Sequence, residues 1–247
     1  MNKTAIIGGT GLTSIDNLNI IKKQAFDTPF GSPSAELIFG QYNKKDIIFL
    51  PRHGENHTIP PHKVNYRANI WALKQAGVQQ IIAVAAVGGI HPKMGPGTLV
   101  IPNQIIDYTY GRSHTFFESE LTHVTHIDFT TPYSTTLRDK IIKCCQTQKI
   151  AHLDFGTYGA TQGPRLETAA EIKRMQQDGC DLVGMTGMPE ASLAREQELD
   201  YASCSIVANW GAGLSNEELT MEMITQNVNQ GLEQIKHLLR EFLGNTQ

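Results

Sequence analysis

The 247-residue chain has no run of five like charges and no stripe of lysine and arginine, and its formal net charge is −3. Neither a nucleic acid nor an anionic membrane is therefore its expected partner; a small molecule is. Its four cysteines, Cys144, Cys145, Cys180 and Cys204, include no Cys-x-x-Cys pair, and the amino terminus lacks a basic-then-apolar signal pattern. Both absences point to reduced thiols in a cytoplasmic protein. The most apolar stretch, IIAVAAVGGI at 81–90, is about half of the ~20 residues that a membrane-spanning helix needs, and it reads as a central strand. No internal repeat, low-complexity tract or linker rich in Pro, Gly and Ser interrupts residues 1–247, so one domain is expected.

Short β-rich runs recur at TAIIG, AELIFG, DIIFLP, QIIAVAAVG, TLVIP, FGTYGAT, DLVGM and YASCSIVAN, with segments of helical spacing between them. Several runs are apolar at successive rather than alternate positions, which suits strands covered on both sides. The expected fold is α/β: a single domain with a central mixed β-sheet flanked by helices on both faces. HKVNYRANIWALKQAG predicts a helix with Val64, Ala68, Trp71 and Gln75 on one face and Gly77 as its stop. Thr168 with Glu171, and Ser215 with Glu218, have the spacing of capping boxes and predict two further helix starts. The last helix carries Leu219, Met223, Val228, Leu232, Ile235, Leu239 and Phe242 at steps near 3.6, and that stripe should face the sheet. The segment 107–134 is the least regular, and so long an excursion is more often functional than idle.

In open α/β sheets ligands bind beyond the carboxyl ends of strands. The residues there are Gly8, Gly9, Thr10 and Gly11; Arg52 and His53; Gly88 and Gly89; the QGPRLE segment; Met185 and Thr186; and Asn209. Dinucleotide binding is disfavoured, because Ser14 stands where a third glycine belongs and no acidic residue follows a second strand at the required distance. Nor is there a Gly-x-x-x-x-Gly-Lys-Ser/Thr loop for a triphosphate. His53 and His57 lie four apart in RHGENH, yet Gly54 and the following TIPP break the helix that a zinc motif requires. What remains is a cation beside a hydrogen-bond donor which, with Thr10 and Thr186, suits an oxyanion such as phosphate. Alternatives stand for single residues: Arg52 capping a strand through a surface carboxylate, Glu167 as a solvated acid, Asn209 capping the next turn.

The segments IIGGTGL, TPFGSPSAELIFG, PRHGENHTIPPHKVNYRANIWALK, GPRLETAAE and GMTGMPEASLARE, with the final strand and helix, resemble the trimeric purine nucleoside phosphorylase and methylthioadenosine phosphorylase family from about residue 3 to 242. The resemblance implies attack of phosphate on the anomeric carbon of a purine nucleoside, with no cofactor and no metal. It implies that Thr10, Arg52, His53, Ala85, Ala86 and Thr186 hold phosphate and that Met185 lies against the ribose. It also implies a homotrimer in which His126 reaches the 5′ side of the sugar in a neighbouring subunit.

Adenine-type members carry an aspartate at the end of the last strand and another two residues on, where this chain has Asn209 and Gly211. A carboxylate only accepts hydrogen bonds, whereas an Asn amide can donate to a 6-oxo group and accept from a protonated N7, and Glu167 can accept from N1–H. Leu166 replaces the aromatic often found before that glutamate. Where inosine and guanosine enzymes place a histidine for the 5′-hydroxyl, this chain aligns Met221, which packs on a methylthio group instead. The combination resembles 5′-methylthioinosine phosphorylases. A general inosine and guanosine phosphorylase, or a nucleoside-binding protein without catalysis, is the alternative.

Overall fold

All five residues of the first strand, β1 (Thr4–Gly8), are buried, as an unbroken apolar run requires of a strand covered on both faces. The computed structural model describes residues 3–9, 12, 18–119, 121–215 and 220–245. Among them the further strands are β2 (Asn19–Gln24), β3 (Leu37–Tyr42), β4 (Lys45–Pro51), β5 (Gln80–Gly89), β6 (Leu99–Val100), β7 (Gln104–Asp107), β8 (Thr157–Ala160), β9 (Leu182–Gly184) and β10 (Asp200–Trp210). The α-helices are α1 (Tyr66–Gln75), α2 (Thr135–Thr147), α3 (Ala169–Gln177), α4 (Gly187–Glu196) and α5 (Met221–Asn245).

The strands form one mixed sheet in the order β2-β3-β4-β1-β5-β9-β8-β7, with β10 pairing both β5 and β6. Helices cover both faces. Ile7, Leu50, Ile81 and Ala83 pack with Ile70 and Leu73 of α1 and with Ala191 and Ala194 of α4. Their neighbours Ile6, Phe49, Ile82 and Cys204 point the other way, onto Leu137 and Ile141 of α2 and Ile235, Leu239 and Phe242 of α5.

The pairing of β5 creates the opening in which a ligand can sit. Parallel pairing with β1 runs from Gln80 to Ala83, whereas antiparallel pairing with β9 begins only at Gly88. Between them, residues 84–87 are paired to β10 alone, so one edge of β5 faces the gap. Two devices shape its upper end. Gly89 approaches Met94 so closely that a Cβ there would meet the Met94 carbonyl oxygen. On β10 the register shifts between Val207 and Asn209, and this bulge re-aims the strand end.

Several expectations need correction. The first helix begins after Asn65, whose side chain accepts from Ala68 N at 3.1 Å, and it buries Tyr66, Ala68, Asn69, Ile70, Ala72 and Leu73. Gln75 is exposed, because α1 packs against both the sheet and α4 and therefore buries a broader side than one stripe. Residues before it form only a 3-10 turn, Pro61–Lys63. The last helix is described from Met221. Thr220 Oγ1 accepts from Met223 N at 3.2 Å and so supplies the cap, while Glu218 and Leu219 lie outside the described residues. The Thr168/Glu171 box is present with both reciprocal bonds.

Candidate active site

The carboxyl ends of β1, β4, β5, β9 and β10 converge with the loop after β8 on a cavity of about 620 Å³. Arg52, His53, Ala85, Ala86, Leu166, Glu167, Met185, Thr186 and Asn209 all line it. Thr10 lies outside the described residues, as does the side chain of Met221. His126 is exposed and is not part of the wall in its own chain.

Arg52 follows β4 directly, and its backbone N–H donates to Gly8 O at 3.0 Å, which ties the ends of β4 and β1 together. Its guanidinium is not capped by a surface carboxylate. Nε and Nη2 donate to the two oxygens of Glu190, each at 2.7 Å, and Nη1 donates to Val84 O at 2.8 Å. Glu190 is 0% exposed and Arg52 2%, and Tyr201 Oη donates to Glu190 Oε1 at 2.9 Å. Burial works against the Arg52 charge, but the adjoining Glu190 carboxylate outweighs it and holds the pKa above the usual arginine value. A guanidinium has five N–H groups; three are engaged here, and the others remain for an anion.

His53 differs from the donor expected of it. Its Nδ1 lies 2.8 Å from Ile59 O, and a carbonyl only accepts, so Nδ1 carries the proton. Burial, followed by the charge of Arg52, pushes its pKa down to about 4, so the ring is neutral at pH 7 and Nε2 is an acceptor. An acceptor beside a buried guanidinium matches monohydrogen phosphate, which still has one P–OH to donate. His57 faces the same cavity with its ring centroid 4.7 Å from that of His53. Glu55, between them in sequence, pairs instead with exposed Lys23 at 2.6 Å.

Thr186 is nearly buried and stands at the N-cap of α4 without a side-chain cap bond to that helix. Next to it Met185 packs on Gly163, which has a φ of +60° and where a Cβ would run into the Met185 sulfur. The loop after β8 thus needs a glycine on both counts.

At the other end of the cavity Glu167 Oε1 accepts from Thr161 Oγ1 at 2.7 Å, so this carboxylate is oriented rather than merely solvated. Its loop is clamped from outside. Arg165 Nη1 and Nη2 donate to Glu171 at 2.8 and 2.7 Å, and Thr168 N donates to the same carboxylate at 2.7 Å. Those bonds from Arg165 and then Thr168 hold the Glu171 pKa down at about 2. Asn209 Nδ2 donates to Trp210 O at 2.7 Å, which fixes the amide and leaves one N–H and Oδ1 for a ligand. The bulge behind it is pinned by Asn227 Nδ2, which donates to Ala208 O at 2.8 Å. Ile224, Val228 and Leu232 of α5 complete the wall with apolar surface.

Sequence reasoning missed Glu190, Tyr201, Thr161 and Ile224; it weighed His57 only as a metal ligand and set Val228 on the stripe facing the sheet, whereas both line the cavity. For Glu190 a signal existed: a single acid among small and apolar residues in MPEASLA is costly to bury unless a cation meets it.

A mixed α/β sheet with an oxyanion end and a base-reading end in one cavity defines a nucleoside phosphorylase-type site. The family model described as "Phosphorylase superfamily" matches residues 3–244, and the chain belongs to that family. It is 53% identical over 243 residues to a probable S-methyl-5′-thioinosine phosphorylase of Pseudomonas syringae pv. tomato, covering 98% of this chain and 99% of that one. It is 43% identical to a probable 6-oxopurine nucleoside phosphorylase of Thermococcus kodakarensis, covering 98% and 92%. Among solved structures, methylthioadenosine phosphorylase of Schistosoma mansoni in complex with adenine superposes with a TM-score of 0.93 at 32% identity, covering 99% of this chain and 91% of that chain.

Proposed function

We propose that the protein catalyses phosphate-dependent cleavage of the N-glycosidic bond of a 6-oxopurine nucleoside, S-methyl-5′-thioinosine foremost, to give hypoxanthine and 5-methylthioribose 1-phosphate. The observation that carries this reading is the pairing of an Arg52/His53/Thr186 anion end with a Glu167/Asn209 base end across one cavity. Phosphate is the co-substrate, and neither cofactor nor metal takes part.

Phosphate sits under the sugar, held by Arg52, Thr186, Thr10 and the backbone at Ala85 and Ala86, and its P–OH donates to His53 Nε2. As the bond from C1′ to N9 lengthens, positive charge grows on the ribose beside this dianion, and the bonding pair moves into the purine. A phosphate oxygen then bonds C1′. Glu167 accepts from N1–H, and the Asn209 amide donates to O6 and, as N7 of the purine anion takes up a proton from water, accepts from the new N7–H, which stabilises the departing base. Most of the acceleration comes from holding the reactants together and from preorganised dipoles. Ile224, Val228 and Met221 accommodate a 5′-methylthio group better than a hydroxyl, because burying a hydroxyl without a partner costs free energy. The working form is a homotrimer in which His126 serves the neighbouring site.

The test is a panel: release of free base from methylthioinosine, inosine and methylthioadenosine, each with and without phosphate. Phosphate-dependent release, fastest from methylthioinosine, is expected. Preference for inosine would favour a general oxopurine enzyme, and no release from any of the three would contradict the reading.

A further inference from the structure

Arg112 is a buried cation that pairs with no acid among the described residues. It is 8% exposed and sits in the irregular 107–134 excursion, yet its guanidinium is saturated with neutral acceptors. Nε donates to Gln162 Oε1 at 3.0 Å. Nη1 donates to the carbonyl oxygens of Met185 and Met188 at 2.9 and 2.5 Å and to Tyr66 Oη at 3.3 Å. Nη2 donates to the carbonyl oxygens of Thr161 and Gln162 at 3.1 and 2.8 Å. The guanidinium also lies over the Tyr66 ring, 5.4 Å from its centroid. Burying a cation without a counter-ion is expensive unless its donors are satisfied, and a flat fork of donors is what satisfies acceptors lying in several directions.

These acceptors belong to separate pieces of the cavity wall. Thr161 and Gln162 leave β8 for the loop that carries Glu167; Met185 and Met188 flank Thr186; and Tyr66 Oη donates to Pro61 O at 3.0 Å, where Pro61 is itself part of the wall. Thr161 joins the two ends directly. Its carbonyl accepts from Arg112, its hydroxyl donates to Glu167, and its N–H donates to Gly184 O at 2.8 Å.

We propose that Arg112 is a positioning residue for phosphorolysis: it locks the loop bearing the base-reading Glu167 and the segment bearing Thr186 into one frame, although it touches neither substrate. The assignment rests on the phosphorylase reading above. An ammonium offers three donors from one point, so Arg112→Lys keeps the charge but cannot bridge these segments.

The experiment compares wild type, Arg112→Ala and Arg112→Lys in methylthioinosine phosphorolysis and in amide hydrogen exchange of the ligand-free protein. In Arg112→Ala, kcat should fall about 100-fold, the scale of an ångström-sized misplacement of reacting groups. Arg112→Lys should not restore it, whereas added guanidinium should raise it severalfold and tetramethylammonium should not. Exchange should quicken in 161–167 and 184–188 but not in β1, β4 or β10. Wild-type kcat in Arg112→Ala, full restoration by Arg112→Lys, exchange unchanged in both segments, or exchange faster throughout the chain without rescue would each overturn the assignment. If Arg112→Ala does not fold, Gln162→Met removes the Oε1 that accepts from Arg112 Nε and from Tyr110 N, keeps the Gln162 carbonyl bond to Nη2, and should lower kcat about tenfold, the scale of a charge-assisted hydrogen bond; wild-type kcat there overturns it as well. An inactive wild-type protein would contradict the phosphorylase reading, while the exchange comparison would still decide the role of Arg112.

Discussion

Asn209 and Glu190 carry opposite kinds of information about the site. Asn209 drew notice in the sequence because a polar amide ending an apolar strand stands out, and its Nδ2 bond to Trp210 O fixes the amide at the cavity wall. Asn209→Ala should lower turnover on methylthioinosine roughly 100- to 1,000-fold, as when a preorganised donor is lost. Asn209→Asp should raise the ratio of methylthioadenosine to methylthioinosine turnover, since a carboxylate only accepts; steady-state rates on both nucleosides check each variant. Glu190 signals its burial as a lone acid in an apolar segment, but its partner was not legible, because Arg52 is 138 positions away and nothing local ties an acid on one helix to a cation after a distant strand. Glu190→Gln leaves the Arg52 charge buried and uncompensated, so it should cost about 3–5 kcal/mol in chemical unfolding and raise KM for phosphate. His53 gives a pH signature. Its folded pKa of about 4 lies below the ordinary 6.5, so the unfolded chain binds more protons between those values and stability falls as pH drops through that window. The His53 contribution is full above pH 6.5, and the loss approaches about 3 kcal/mol near pH 4. His53→Gln should flatten that part of the stability profile in urea titrations at each pH.

Elements with dense apolar runs were readable, and those whose identity depends on neighbours were not. β1, β4, β5 and β10 follow from composition because both faces of each are covered. β2 was missed because it is a largely exposed edge strand with the sequence NIIKKQ, where lysines on an edge mask the β pattern while guarding against unwanted pairing. β7 has only four residues. α4 hides behind its own entry, since GMTGMPE reads as a turn and Met188 is indeed non-helical. At the start of α5, Thr220 Oγ1 accepts from Met223 N, while Glu218 of the expected Ser215/Glu218 box lies outside the described residues. That helix also lines the cavity, for Ile224 and Val228 face it while Ile235 and Leu239 enter the core, and the proposed function puts the 5′ end of the sugar there. Ile224→Asn should therefore shift selectivity from methylthioinosine towards inosine, read as the ratio of kcat/KM values; an unchanged ratio would place the 5′ end elsewhere.

For the whole molecule, the register of β5 matters most. By exchanging β1 for β9 along one edge, it opens a single cavity that an anion can enter at one end and a purine at the other, with Arg112 bracing the loops behind it. The α/β class and the covered sheet were readable from alternation of elements and continuous apolar runs. The long-range ties of Arg52 to Glu190, and of Arg112 to three segments, arise only when the chain is folded. The central claim is that the oxyanion at the strand ends is itself the nucleophile. The most direct measurement is product analysis of methylthioinosine turnover in phosphate and in phosphate-free buffer. The expected result is 5-methylthioribose 1-phosphate equimolar with hypoxanthine in the first and no base release in the second; equal release of hypoxanthine with free methylthioribose in both would contradict it.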